Sequence, residues 1–144
     1  MQKQRMANRA RAVCYRTAGD RLEFLLVLTT DGSRWTFPGG KIKDGEAETV
    51  AAAREVKEEA GALGDVVGEL EHEGRENDAS IVTFLMRVSG GDLKPKEDWR
   101  FPTWFDEHQA RAVLRTGRKR SDREKWLQTL ARAVEAIRNG ARQM

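Results

Sequence analysis

Cysteine occurs once, at Cys14, and histidine twice, at His72 and His108. A lone thiol cannot close a disulfide within the chain, and the two imidazoles have no partner spacing for a zinc site. Cys14 lies among apolar neighbours and reads as a buried, inert thiol; the histidines read as strand or helix surface. Long apolar runs are also missing. The longest purely aliphatic or aromatic stretch is Phe24–Leu28, whereas crossing a bilayer takes roughly 20 residues. The N-terminal stretch is basic but has neither an apolar centre nor a cleavage pattern, so it does not read as a secretory signal. Together these absences lead to the expectation of a cytoplasmic protein that does not engage a membrane. What remains, 144 residues with a hydrophobic fraction of 39%, is enough for one core. A single domain over 1–144 is expected, with residues 1–8 as a flexible basic tail.

Charge is plentiful but nearly balanced, 26 Lys+Arg against 23 Asp+Glu for a net +3. Its distribution says more. The N-terminal 20 residues hold Lys3, Arg5, Arg9, Arg11 and Arg16 against Asp20 alone, and 111–125 is again strongly basic. Between them, 46–59 carries five glutamates. Basic ends around an acidic centre suit a polyanion held beside a bound cation; solvated helix faces are the ordinary alternative.

Periodicity places the elements. Arg9–Arg16 alternates small or apolar with basic residues and predicts a strand, and Glu23–Thr29 predicts a buried one. Trp35–Phe37 is a short extended piece before Pro38, and Gly39-Gly40 permits a turn. Glu46–Ala60, rich in Ala and Glu, predicts a helix capped by Asp44 and stopped by Gly61. Val66–His72 and Ile81–Val88 predict strands, Gly74–Ala79 and Gly90-Gly91 loops, and Trp99–Phe105 a last strand limited by Pro102. Asp106–Arg115 and Ser121–Asn139 predict two further helices. The last has a capping box in Ser121 and Glu124, an apolar stripe of Trp126, Leu127, Leu130, Val134 and Ile137, and Gly140 after its end. The Arg118-Lys119-Arg120 run before it reads as a solvated linker. The fold class expected is α/β, a mixed sheet packed between helices.

The chemistry concentrates between Gly40 and Gly61. Glu55, Glu58 and Glu59 are spaced i, i+3 and i+4, so a helix puts them on one face. Each close pair costs about 0.2–0.5 kcal/mol by repulsion. Their place in the last turns adds about 0.3–1 kcal/mol each against the helix dipole. A divalent cation reverses both penalties, and Mg²⁺ takes hard oxygen ligands and is often shared with phosphates.

The full spacing, Gly40, Glu46, Arg54-Glu55-Val56, Glu58-Glu59 and Gly61, resembles the Nudix box, Gly-x5-Glu-x7-Arg-Glu-U-x-Glu-Glu-x-Gly-U, with U aliphatic. The final U falls on Ala62, smaller than usual. The lead-in Trp35-Thr36-Phe37-Pro38-Gly39-Gly40 and the Trp104-Phe105 pair extend the likeness beyond 40–62. The resemblance implies an alpha-beta-alpha sandwich with the box as loop, helix and loop. It implies Mg²⁺ or Mn²⁺ on Glu55, Glu58 and Glu59, with Glu59, or next Glu58, as the base that activates water. Arg54 would hold a glutamate by a charge-assisted pair, Glu46 would brace the loop, and Gly39 and Gly40 would let backbone approach metal and phosphate. Glu97 and Asp98 are candidates for a carboxylate outside the box.

Within that superfamily the chain is similar to the diphosphoinositol polyphosphate phosphohydrolases, which also cut dinucleoside polyphosphates. The likeness lies in Val13-Cys14-Tyr15-Arg16, Arg34–Gly40 and Glu58-Glu59-Ala60-Gly61. It implies hydrolysis of a phosphoanhydride, with Arg9, Arg11, Lys41 and Lys43 on the phosphates. It differs from that subgroup in having only Arg100 where a basic cluster precedes the Trp-Phe pair; the later Arg118-Lys119-Arg120 run could compensate for it, or be the solvated linker it reads as. Removal of pyrophosphate from RNA 5′ ends, pyrophosphatase action on nucleoside triphosphates, and a silent nucleotide- or RNA-binding sensor stay open beside it. Trp35, Tyr15, Phe84 and Trp99 could stack a base, and core packing is the ordinary use of each. The expected partner is a small-molecule phosphoanhydride, with nucleic acid a lesser alternative, and the chain a monomer or homodimer.

Overall fold

The structure is a computed structural model that describes residues 7–74 and 80–143. The chain runs β1 (Arg9–Ala18), β2 (Arg21–Leu28), β3 (Trp35–Thr36), β4 (Gly39–Lys41), α1 (Glu48–Ala60), β5 (Ala62–Gly74), β6 (Ser80–Gly91), a 3-10 turn (Asp98–Arg100), β7 (Thr103–Asp106), α2 (Glu107–Arg115) and α3 (Arg120–Gln143). The strands form one sheet in the order β3-β2-β1-β6-β5, with β4 added to β1 and β7 to β2. β1 and β6 run parallel and the remaining pairs antiparallel, so the sheet is mixed as expected.

Strand alternation divides the core between two faces. Val13, Phe24 and Leu26 point to one side, where they pack with Ala110, Leu114, Leu130, Ala133 and Val134 of α2 and α3. Ala12, Cys14, Leu25 and Val27 point to the other and meet Val56 and Ala60 of α1. Farther along, Ala51 and Ala52 pack against Ala10 and Val82. Alanine on both sides of this contact lets α1 lie close to the strands. The result is the alpha-beta-alpha sandwich. Cys14 is fully buried, and burial, with a smaller push from the Glu59 carboxylate, raises its thiol to about 12. None of the helices among the described residues is long and apolar enough to cross a membrane.

Several boundaries depart from the sequence expectation. The first helix begins at Glu48, and its N-cap is Ala47 without a side-chain bond, in place of Asp44. Glu46 stays in the loop because its carboxylate is held by Arg54 and by the Lys43 N–H. Gly90 and Gly91 continue β6, since Leu63 and Ala62 pair with them. Trp99–Phe105 is not one strand: a 3-10 turn occupies Asp98–Arg100 and β7 starts only at Thr103. α2 is capped by Asp106 in a box with Gln109. α3 starts at Arg120, so Ser121 lies in its first turn rather than at the N-cap expected for it, and Glu124 pairs with Arg120 at 3.7 Å; the same helix runs on through Gly140. Leu130 and Val134 of its stripe are buried and Trp126 and Ile137 pack beside them. Ala7 and Asn8, assigned to the tail, are tied down by bonds from Ala7 N–H to Glu48 and between Asn8 and Ser80. Lys3, Arg5 and most of the Gly74–Ala79 loop lie outside the described residues.

Gly61 ends α1 in the left-handed conformation, φ 63, and its carbonyl accepts the Leu93 N–H at 3.0 Å. A Cβ there would collide with the Lys94 backbone. Left-handed angles alone cost a residue with a Cβ about 1–2 kcal/mol. Gly61→Ala is therefore expected to lose at least ~2 kcal/mol of stability, read as a lower urea midpoint with little change in slope.

Candidate active site

The sheet forks next to α1. β2 pairs with β1 from Cys14↔Leu25 outward, but at Ala12 the N–H turns to Pro38 O at 3.0 Å. The segment 35–41 enters the gap, with β3 on β2 and β4 on β1. Gly39 and Gly40 sit at this fork because no side chain fits: a Cβ on Gly39 would stand 2.7 Å from Ala10 O, and one on Gly40 2.6 Å from the Glu55 carboxylate.

α1 delivers the acidic groups. Glu55 and Glu59 each precede a sheet-facing residue, Val56 and Ala60, so at about 100° per residue they lie on the flank nearest the strands. Glu59 Oε1 accepts the Gly39 N–H at 2.9 Å, and its Oε2 stands 3.4 Å from Arg100 Nη2. Burial pushes the Glu59 carboxyl up to about 7, with Glu55 and Glu58 adding to the rise and the Gly39 N–H and Arg100 opposing it.

Arg54 organises the remaining carboxylates. Its Nε and Nη2 reach the two Glu46 oxygens at 2.7 and 2.9 Å. Nη1 reaches Glu55 at 2.9 Å and Glu58 at 3.3 Å, and Nη2 also donates to Lys41 O at 3.0 Å. Three glutamates thus share one guanidinium. Beyond the helix end, the Lys96 N–H donates to Glu58 O at 2.7 Å, which satisfies a terminal carbonyl.

Among the described residues no three His, Cys, Asp or Glu side chains stand together as a ready metal cage. Arg54 holds Glu55 and Glu58 while Arg100 faces Glu59. The donor chemistry nonetheless fits a hard divalent cation: all donors are carboxylate oxygens, Gly39 and Gly40 bring backbone against them, and Glu59, raised chiefly by burial, is a poorly solvated carboxylate whose charge a cation would stabilise.

The structure gathers Gly39, Gly40, Glu46, Arg54, Glu55, Glu58 and Glu59, and it separates the proposed phosphate ligands. Lys41 and Lys43 are exposed on the loop that Arg54 clasps, and Arg9 is exposed opposite Lys41. Arg11 points to the other side of the sheet, where it bonds Thr83 at 3.0 Å, pairs with Glu71 at 3.7 Å and lies over Trp126. Glu97 and Asp98 are exposed. Arg118, read as linker, is half-buried: it donates to Trp35 O at 2.6 Å and Leu114 O at 2.9 Å and covers Trp126, and burial lowers it to about 10. Phe84 is buried, Trp35 packs edge-on to Phe105, and Tyr15 lies against the core, which leaves Trp99 under Arg100 among the suggested stacking residues.

Arg100 is the residue that sequence reasoning noted without placing. Its side chain is 12% exposed; Nη1 donates to Leu28 O at 2.9 Å, the guanidinium covers Trp99, and Nε is buried without a partner. The available signal was an arginine between Trp99 and Phe101 in a segment that Pro102 keeps out of regular structure. The next residue, Phe101, has φ 44 and ψ 57 and is 61% exposed.

A NUDIX domain model matches residues 6–130. The chain belongs to the NUDIX domain family. A Caenorhabditis elegans protein named "Putative nudix hydrolase 1" is 36% identical over 92 residues, 62% of this chain and 25% of the relative. The 8-oxo-(d)GTP phosphatase of Mycolicibacterium smegmatis is 34% identical over 74 residues, 49% of this chain and 23% of the relative. The chain thus spans about a quarter of the length of these curated Nudix relatives. Among solved structures, a binary complex of the Caenorhabditis elegans Ap4A hydrolase superposes with a TM-score of 0.70 at 25% identity, covering 92% of this chain and 98% of that one.

The clasp has a pH signature. Hydrogen bonds from Arg54, then from the Lys43 N–H, lower the Glu46 carboxyl from 4.5 to about 2. A depressed carboxyl contributes stability that is complete above its unfolded value and is lost as pH falls through the folded one. The melting-temperature gap between wild type and Glu46→Gln is expected to be full above pH 5 and to close between about 4.5 and 2.

Proposed function

We propose that this chain hydrolyses a phosphoanhydride bond in a nucleotide, in the first place a dinucleoside polyphosphate, with Mg²⁺ or Mn²⁺ as cofactor. The observation that carries the reading is the Glu59 carboxylate, only 11% exposed and pinned to the Gly39 N–H at 2.9 Å beside Glu55 and Glu58 of the same helix. Likeness over nearly the whole length of an Ap4A hydrolase favours two nucleosides joined by phosphates over an inositol pyrophosphate. A second reading, action on an 8-oxo nucleoside triphosphate, has the support of the Mycolicibacterium smegmatis relative.

Glu55, Glu58 and Glu59 would hold the cation. Bound there, it supplies a Lewis acid that neutralises phosphoryl charge and acidifies water. The chain does the rest. Glu59 is the base that accepts the proton of the attacking water at its carboxylate, and Glu58 is the alternative. Arg54 does not touch substrate; it sets Glu46, Glu55 and Glu58 relative to the loop. Lys41 and Lys43 on that loop, with Arg9 opposite, take phosphate oxygens. Arg11 falls out of this role because Thr83, Glu71 and Trp126 occupy it on the far face.

The test is a panel assay with Mg²⁺ containing diadenosine tetraphosphate, an inositol pyrophosphate, ADP-ribose, an 8-oxo nucleoside triphosphate and 5′-triphosphate RNA. Diadenosine tetraphosphate is expected to give the highest kcat/KM. Glu58→Gln and Glu59→Gln should each lower it at least about a hundredfold, the scale of a lost acid–base group, with melting temperature retained. Wild-type rates in both variants, or no Mg²⁺ or Mn²⁺ uptake by calorimetry, would overturn the assignment.

A further inference from the structure

The segment Trp99–Pro102 carries a conflict that packing does not explain. Phe101 precedes a proline, whose ring steers the residue before it toward extended backbone, yet it stands in the left-handed region at φ 44. That conformation is unusual for any residue other than glycine and a true outlier for a bulky one. The residue is also 61% exposed, the highest value among the exposed large hydrophobics of the described residues, Val50, Leu63, Val67 and Phe101. An aromatic residue held in a costly conformation without a core to fill points to use elsewhere, and such strain gathers at ligand sites.

The neighbours hold it there. The Arg100 N–H donates to Glu97 O at 3.1 Å to close the 3-10 turn, and the Thr103 hydroxyl donates to Phe101 O at 2.7 Å. Arg100 turns inward to Leu28 O and to Glu59, so its side chain ties the segment to the carboxylate proposed as base. Phe101 follows it directly and turns outward. Phe101 is thus the chain neighbour of a side chain that stands 3.4 Å from the Glu59 carboxylate, which anchors the exposed ring beside the acidic centre.

We infer that Phe101 is the platform on which a base of the nucleotide substrate stacks while its phosphates face α1. The inference rests on the nucleotide reading above and sharpens it. The segment sets specificity for a planar aromatic group, and the left-handed turn at Phe101 exists to aim the ring out of the chain while Arg100 is aimed in. Stacking of a base on an aromatic side chain is sequence-tolerant, so adenine and guanine nucleotides are both accepted.

Binding of AMP and of ribose 5-phosphate, which differ only in the base, separates this role from others. Calorimetric or fluorescence titration of wild type is expected to favour AMP. Phe101→Ala should weaken AMP about tenfold, within the range of one lost stack, and ribose 5-phosphate less than twofold; Phe101→Trp should restore AMP. Phe101→Gly keeps the backbone at ease and is expected to melt no lower than wild type while showing the same loss for AMP. Equal weakening of both ligands, no weakening of either, a wild type that does not prefer AMP, or a Phe101→Gly variant melting more than about 5 °C lower would overturn the inference. If diadenosine tetraphosphate is cut and AMP binding ignores Phe101, only the platform fails; if no nucleotide in the panel is cut, the nucleotide reading fails first.

Discussion

Carboxylates crowded on one helix face repel, and what makes the crowding tolerable here is the Arg54 guanidinium, whose planar fork meets Glu46 at two points and Glu55 and Glu58 at one each. A lysine offers no such fork, because an ammonium is a point charge without fixed directions. The same group reaches Lys41 O, so one side chain joins the glycine turn, the loop that follows and the helix into one unit. The loop has little packing of its own: Lys41, Lys43, Asp44 and Gly45 are all exposed. Its shape depends on charge-assisted bonds rather than on apolar burial, and these are among the stronger hydrogen bonds a partly buried site can make.

That unit sits where it does because the sheet opens. Were β1 and β2 paired along their whole length, Gly39 would have no place beside Arg11 and Glu59 would have no N–H to accept. The fork exposes backbone donors at a point where α1 approaches on alanines. Close helix packing and strand backbone that bonds outside the β1–β2 ladder thus meet at one spot, and there the largely enclosed Glu59 carboxylate faces the Arg100 guanidinium at 3.4 Å. Local structure, packing and electrostatics converge on the same few residues.

Much of this was legible before any coordinates. The i, i+3, i+4 glutamates, the glycine pair and the stop at Gly61 have local causes, so the sequence shows them directly. What it hid had distant causes. The start of α1 moved to Glu48 because Glu46 is claimed by a residue eight positions on. Gly90 and Gly91 remain in a strand because Ala62 and Leu63 pair with them across the hairpin. Arg118 is half-buried only because the Trp35 carbonyl and the Trp126 ring come from elsewhere in the chain. Arg100 and the sense in which Arg11 points needed the parallel β1–β6 pairing and the fork, neither of which leaves a periodic trace. The spacing alone also does not show that Arg54 holds Glu55 and Glu58 while Arg100 faces Glu59.

The lone thiol of Cys14 sits between the sheet and α1, fully enclosed and raised to about 12 by that enclosure. Alkylating reagents attack the thiolate, which this setting all but removes at neutral pH. Labelling therefore has to wait until α1 lifts from β1, the same movement that would dismantle the acidic centre. The chain carries its own single-site reporter of opening at that interface, and the rate at which it takes up a maleimide is a direct clock for how often the centre comes apart.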